Sequence, residues 1–353
     1  MSKKFIITLV KTVIPLLLGA YLIWHSFTSM SEKDEIQFYK AIHEANYLWI
    51  SLGLVVSVIA FMSRAYRWKY ALEPLGYSTN FWNRYHAMMI GYLINLTIPR
   101  AGEASRAAML YRSEGVPFST SFGTIIAERA VDFIILASLG AFTAYIGYDD
   151  FFAIIDQIKK YDFGGKTTQG EGFPWKMLIS SFLLVGLVIA GFLFIKKQAL
   201  RLKIIGFIKD VFAGLFSIFK LKSPVAYIGH TLLIWIAYLF MFALPFLSLS
   251  QTNDFPMSGI FLGFIAGSIG IVLTNGGIGT YPVLVGLVVA FYIGKDYPEQ
   301  ALGIGTALGW IIWLSQTTLM IILGLISLIL TPKNFTEENG KTELHTSETI
   351  KHN

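Results

Sequence analysis

The chain has no cysteine in 353 residues, which excludes disulfides, thiolate chemistry and cysteine-ligated metals. Charge is scarce as well: 14% of residues are Asp, Glu, Lys or Arg, against 54% hydrophobic. Apolar runs of about 20 residues recur along most of the length, the signature of a polytopic membrane protein. These runs are continuous and lack a two-residue alternation, so helices rather than a closed barrel satisfy the backbone in lipid. Nucleotide loops are also missing, as are the metalloprotease helix, the nucleophile elbow and any paired-histidine arrangement. His86 and His230 stand alone and read as structural. No catalytic residue, cofactor or metal is therefore expected, and the chain reads as a non-enzyme. The formal net charge of +6 does not point to nucleic acid, because its cations lie mostly between apolar runs, where they set topology.

Clear spans are expected near residues 6–27, 46–64, 121–147, 176–195, 224–249 and 301–330. The first is too long for a signal peptide and reads as retained. Residues 196–222 carry seven cations against Asp210 alone, which places them in the cytoplasm. Lys3, Lys4, Arg64, Arg67 and Lys69 are expected on the same side. The acidic segments 28–44 and 148–173 fit the outside. Two apolar stretches remain, 82–98 and 258–294. A full crossing at 82–98 would put the basic 196–222 segment outside, so 82–113 reads as a hairpin entering from the cytoplasm. By the same logic 258–294 enters from outside.

The expected fold is thus an all-α polytopic membrane protein. It has six full spans plus two re-entrant or broken-helix hairpins, eight membrane segments in all, arranged as an inverted repeat with halves at about 1–150 and 174–330. Both termini fall in the cytoplasm, residues 331–353 form a polar disordered tail, 162–173 a flexible outer loop, and 151–161 a short interfacial helix. Ile94–Gly102 aligns with Ile271–Gly279 at an offset of 177 residues (Ile94 to Ile271), with Ile, Leu, Thr and Gly in register. Paired interruptions of this kind point to a transporter binding site. Eight complete spans with a loosely obeyed charge rule is the alternative.

Candidate site residues cluster at the interruptions. Pro99 ends or kinks the first helix, and Gly102 permits close backbone approach. Asn95, Arg100, Glu103 and Arg106 surround that break, and the arginines offer planar forks suited to phosphate or carboxylate. Glu128 and Asp132 share a helix face at i and i+4, with Arg129 about 100° around. Each ionisable group in hydrocarbon costs roughly 2.5–3.5 kcal/mol, so these persist by pairing or by function. Glu128 and Asp132 could clamp Arg100 or Arg106, or contact substrate directly. The second interruption, Thr274, Asn275, Gly276, Gly277, Gly279 and Tyr281, carries no charge and reads as unwound backbone lining a cavity. Gly263/Gly267 and Gly305/Gly309 have the spacing of close helix packing.

The ordered set Asn95, Pro99, Arg100, Gly102, Glu103, Arg106, then Glu128, Arg129, Asp132, then Gly276, Gly277, Gly279 resembles the lysylphosphatidylglycerol synthase transmembrane-region family, also called flippase-like or UPF0104 proteins. The resemblance covers residues 5–330. It implies a stand-alone flippase-like module in a bacterial cell (inner) membrane, translocating a phospholipid, aminoacyl-lipid or polyprenyl-phosphate-linked lipid. It also implies a separate lipid synthase or glycosyltransferase as a candidate partner, and the alternative role is a membrane subunit or accessory of such an enzyme. Only about 20 residues follow the last span, so no aminoacyl-transferase domain is expected. The family pattern often has a Glu after the second Gly-rich turn. Here Thr280-Tyr281-Pro282 stands instead, which counts against a cationic lipid substrate.

Overall fold

A computed structural model describes residues 32–98, 101–150, 152–154 and 198–331, with Trp24 and Thr28. The expected spans 6–27 (Trp24 apart) and 176–195, the loop 162–173, most of the interfacial segment 151–161 and the tail beyond Thr331 lie outside the described residues. So do Pro99 and Arg100.

Ten α-helices are described, with no strand among the described residues: α1 (Glu32–Glu44), α2 (Tyr47–Leu72), α3 (Phe81–Thr97), α4 (Gly102–Glu114), α5 (Phe118–Ile146), α6 (Gln198–Phe216), α7 (Pro224–Ala243), α8 (Met257–Leu273), α9 (Thr280–Ile293) and α10 (Ala301–Leu330). Local chemistry sets several boundaries. Asn46 caps α2 by accepting from the Leu48 amide, and Asn80 caps α3 by accepting from the Trp82 amide. Gly115 ends α4 in the left-handed region.

Three helical stretches are long and apolar enough to cross a bilayer: Tyr47–Leu75, Pro224–Ser248 and Ala301–Leu330. A fourth arises where Phe118–Ile146 and the bent Tyr148–Ile154 segment are counted as one. The two expected hairpins are built from shorter helices. α3 and α4 have 17 and 13 residues, and α8 and α9 have 17 and 14. Helix α4 carries Glu103, Arg106, Arg112 and Glu114, so it is poorly suited to lipid. Its apolar residues Ala107 and Leu110 instead join Trp68, Leu72, Ala87 and Ile125 in a buried cluster.

Each hairpin closes through a backbone approach that only glycine allows. A Cβ on Gly102 would sit 2.5 Å from the Gly91 carbonyl oxygen, and one on Gly270 would sit 2.9 Å from the Tyr281 Cα. The expected close packing at Gly305 and Gly309 is also present: their Cβ positions fall 2.4 and 2.5 Å from carbonyl oxygens of Gly286 and Pro282, which seats α10 directly on α9. Helix α2 lies along α7, α10 packs on the α3 hairpin arm, and α5 packs on the α8 arm. Outside this bundle, α1 lies across the start of α10, where Asp34 accepts from the Gly303 amide and Phe38 and Ala41 enter the main core.

One expectation is overturned. Arg64 and Arg67 do not mark a cytoplasmic loop after a span ending at 64. Helix α2 continues to Leu72, and Arg64 and Arg67 are 4% and 0% exposed inside the bundle. The reason is that Ala65, Trp68, Ala71 and Leu72 carry the buried face on past residue 64, while Asp132 supplies the opposite charge. Lys69, half-exposed and paired with Glu73, is the first cation outside this buried face.

Candidate functional site

Arg64 and Arg67 lie three residues apart on α2, hence on one face. Glu128 and Asp132 lie four apart on α5. The facing of these two helices brings the charges together. Arg67 grips Asp132 with both arms of its guanidinium, at 2.8 and 3.2 Å. Arg64 reaches one of the same carboxylate oxygens at 3.2 Å and gives its other arm to the Tyr238 hydroxyl at 3.0 Å. From α4, Arg106 forms a second fork on Glu128, at 2.9 and 3.4 Å. Its guanidinium carbon lies 3.7 Å above the Trp68 ring, and Trp68 is itself anchored to Thr124 by its indole N–H. At the rim, Arg129 pairs with Glu103 at 2.9 Å. Glu128 is fully buried, and so are the guanidinium Nε groups of Arg64, Arg67 and Arg106, which lack protein partners. Breaking one partner of such a buried pair leaves a desolvated charge, so the set holds together as a unit.

Beside this cluster lies a cavity of about 510 Å³. Arg64, Arg129 and Asp132 line one part of it, with Tyr92, Tyr238 and Gln316 as further polar groups. The remaining wall is mostly apolar and comes from α2, α5, α7, α8 and α10, including Phe61, Leu136, Met241, Phe264 and Ile312. Phe133 and Ile271 line it too, yet are 71% and 50% exposed, so the cavity opens to the outside of the bundle next to α5 and α8. The volume suits a small molecule or a headgroup with part of its tail.

The interruptions take defined places around this cavity. Asn95 accepts from the Gly102 amide at 3.3 Å and so ties the two arms of the first hairpin. In the second, Gly276, Gly277 and Gly279 adopt φ of 64°, 79° and 76°, the left-handed region that their lack of a side chain permits. Thr274 bonds the Ile278 carbonyl and the Thr280 hydroxyl, holding the turn closed. The Gly276 carbonyl accepts from the Trp313 indole at 2.7 Å, and both residues line the cavity. Tyr281 lines it as well, its ring against Gly267. The second turn meets the end of α3: a Cβ on Gly276 would lie 3.0 Å from Leu96. The side chain of Asn275 is outside the described part.

Of the predicted site residues, Arg129, Asp132, Gly276 and Tyr281 line the cavity. Arg106 and Glu128 lie behind it, spent on each other. Arg64 and Arg67 are the important residues that sequence reasoning missed. Their signal was present in the i, i+3 spacing beside Trp68 and Ala71. His86 and His230 bond to Ser327 and Ser63, in keeping with structural roles.

Comparison with known proteins identifies the family. The lysylphosphatidylglycerol synthase TM region matches residues 12–319. The chain belongs to that family. Within curated proteins, a UPF0104 membrane protein of Methanocaldococcus jannaschii is 31% identical over 112 residues, covering 31% of this chain and 33% of that protein. The glycosyltransferase AglD of Haloferax volcanii is 26% identical over 107 residues, 30% of this chain and 17% of that protein. The matches thus span a third or less of these relatives' lengths. No solved structure matches the chain significantly.

Proposed function

We propose that this multi-pass membrane protein translocates a lipid, moving its headgroup through the bundle while the acyl or prenyl chains stay in the bilayer. The lipid would be a phospholipid, an aminoacyl-lipid or a polyprenyl-phosphate-linked lipid, and no covalent chemistry is required of the protein. The observation that carries this reading is the cavity itself: apolar walls that open beside exposed Phe133 and Ile271, with Arg64, Arg129 and Asp132 inside. A headgroup needs the polar end and its chains need the open apolar side. The contact of the Gly-rich turn with the end of α3 supports a pair of hairpins meeting at the site, and the reciprocal packing of α10 on α3 and α5 on α8 supports rocking of one half against the other. The protein would sit in the cell membrane with both termini in the cytoplasm.

The test is reconstitution into vesicles with fluorescent short-chain lipids in both leaflets, bleached from outside. Bleaching beyond the outer-leaflet fraction is expected, and Ser268→Trp, at a residue of the cavity wall, should abolish it by narrowing the space. Protein-containing vesicles that bleach no further than empty ones, across a broad headgroup panel, would defeat the reading. A second reading, as the membrane part of a lipid-glycosylating system, is favoured by the match to a relative named a glycosyltransferase. Turnover of a lipid-linked sugar in detergent, where sidedness vanishes, would select it.

A further inference from the structure

Among the described residues, the charges of this cluster do not balance. Arg64, Arg67 and Arg106 face Glu128 and Asp132, so three cations meet two anions. The rim pair Arg129–Glu103 adds nothing to the difference. The excess can be located. Glu128 is held by the fork of Arg106, and both oxygens of Asp132 are held by the fork of Arg67. Arg64 only shares an oxygen that Arg67 already holds, and its other arm goes to the neutral Tyr238 hydroxyl. Of the three arginines in this cluster, Arg64 alone lines the cavity.

We infer that Arg64 is the receptor for one negative charge, that of a phosphate group entering the cavity, and that headgroups with a compensating cation beside the phosphate are disfavoured. This rests on reading the cavity as a headgroup site. A desolvated, under-compensated guanidinium is stabilised by an incoming anion, and its planar donors match phosphate oxygens. An ammonium group gains no such partner here. Asp132, the only carboxylate lining the cavity among the described residues, is already occupied by two arginines, and Arg64 and Arg129 would both repel a cation. Between the lipid classes compatible with the fold, this selects those whose headgroup is a simple phosphate ester over aminoacylated ones.

The experiment uses the full chain in an uncharged maltoside detergent, read by tryptophan fluorescence, since Trp235 and Trp313 line the cavity. The probes are dioctanoyl phosphatidylglycerol, its lysyl ester, dioctanoylglycerol, glycerol phosphate and inorganic phosphate. The anionic lipid is expected to bind at least about tenfold more tightly than its lysyl ester or the uncharged diacylglycerol. Arg64→Gln should abolish that preference while leaving the protein folded, because Arg67 still satisfies Asp132. Weaker binding of the two soluble phosphates assigns the site to a lipid; equal binding keeps the anion site and assigns it to a free phosphate. Equal or tighter binding of the lysyl ester or of diacylglycerol overturns the inference, as does a folded Arg64→Gln protein that keeps the preference. Should that variant fail to fold, the wild-type headgroup series decides alone. Selective binding without lipid movement in vesicles would sink the translocator and spare this inference. Movement indifferent to headgroup charge would do the reverse.

Discussion

Replacing Glu128 by Gln preserves shape and removes one charge from the most deeply buried ion pair among the described residues. Glu128 has no exposed surface, and the Arg106 side chain is 5% exposed. The variant leaves Arg106 charged above Trp68, with its Nε already lacking a partner. Breaking one side of a buried pair costs about 3–5 kcal/mol, and the ring offsets about 0.5–2 kcal/mol of that at most. A net loss of roughly 2–4 kcal/mol is expected for Glu128→Gln. Replacing both partners, Arg106→Gln with Glu128→Gln, removes the orphaned charge and should recover most of the loss, giving a coupling of at least about 1.5 kcal/mol. The assay is reversible unfolding in mixed micelles titrated with a denaturing detergent, for wild type, both single variants and the double. A single-variant loss below about 1 kcal/mol, or a double variant equal to the sum of the singles, would refute the reasoning that this pair is desolvated and mutually dependent.

Gly102→Ala should open the first hairpin, because its Cβ would press on the Gly91 carbonyl oxygen at 2.5 Å; about 1–3 kcal/mol of destabilisation is expected in the same assay. Gly206→Ala is the control, with nothing within 4 Å on helix α6, and should be neutral or stabilising by up to about 1 kcal/mol. Trp313→Phe removes the indole donor to the Gly276 carbonyl and should cost about 1–2 kcal/mol, with faster hydrogen exchange at the second Gly-rich turn. Lys33→Gln and Glu299→Gln break an ion pair whose side chains are 67% and 70% exposed, so the melting temperature should not move.

Much of the architecture was legible in the sequence because lipid enforces a simple rule on the backbone. Helical spans emerge at Tyr47–Leu75, Pro224–Ser248 and Ala301–Leu330, and short paired helices occupy both proposed hairpins. The Arg106–Glu128 pair was among the expected clamps, since a carboxylate on the face of an apolar helix must find a partner. The role of Arg64 and Arg67 was hidden for a physical reason. Cations at the end of an apolar run look the same whether they meet water or an internal carboxylate. The choice depends on Asp132, which is distant in sequence and close only once α2 and α5 pack. The cavity was legible only at the turn of Gly276, which was expected to line one, since Trp235, Tyr238 and Gln316 carry no local signal of a shared space.

The most direct test of a headgroup cavity inside the bundle is an electron cryomicroscopy structure of the protein in nanodiscs rich in an anionic phospholipid. Phosphate density within hydrogen-bond distance of Arg64, with chain density leaving past Phe133 and Ile271, is the predicted result. Ordered lipid phosphates found only around the outside of the bundle, with the cavity filled by the protein's own side chains, would contradict the account.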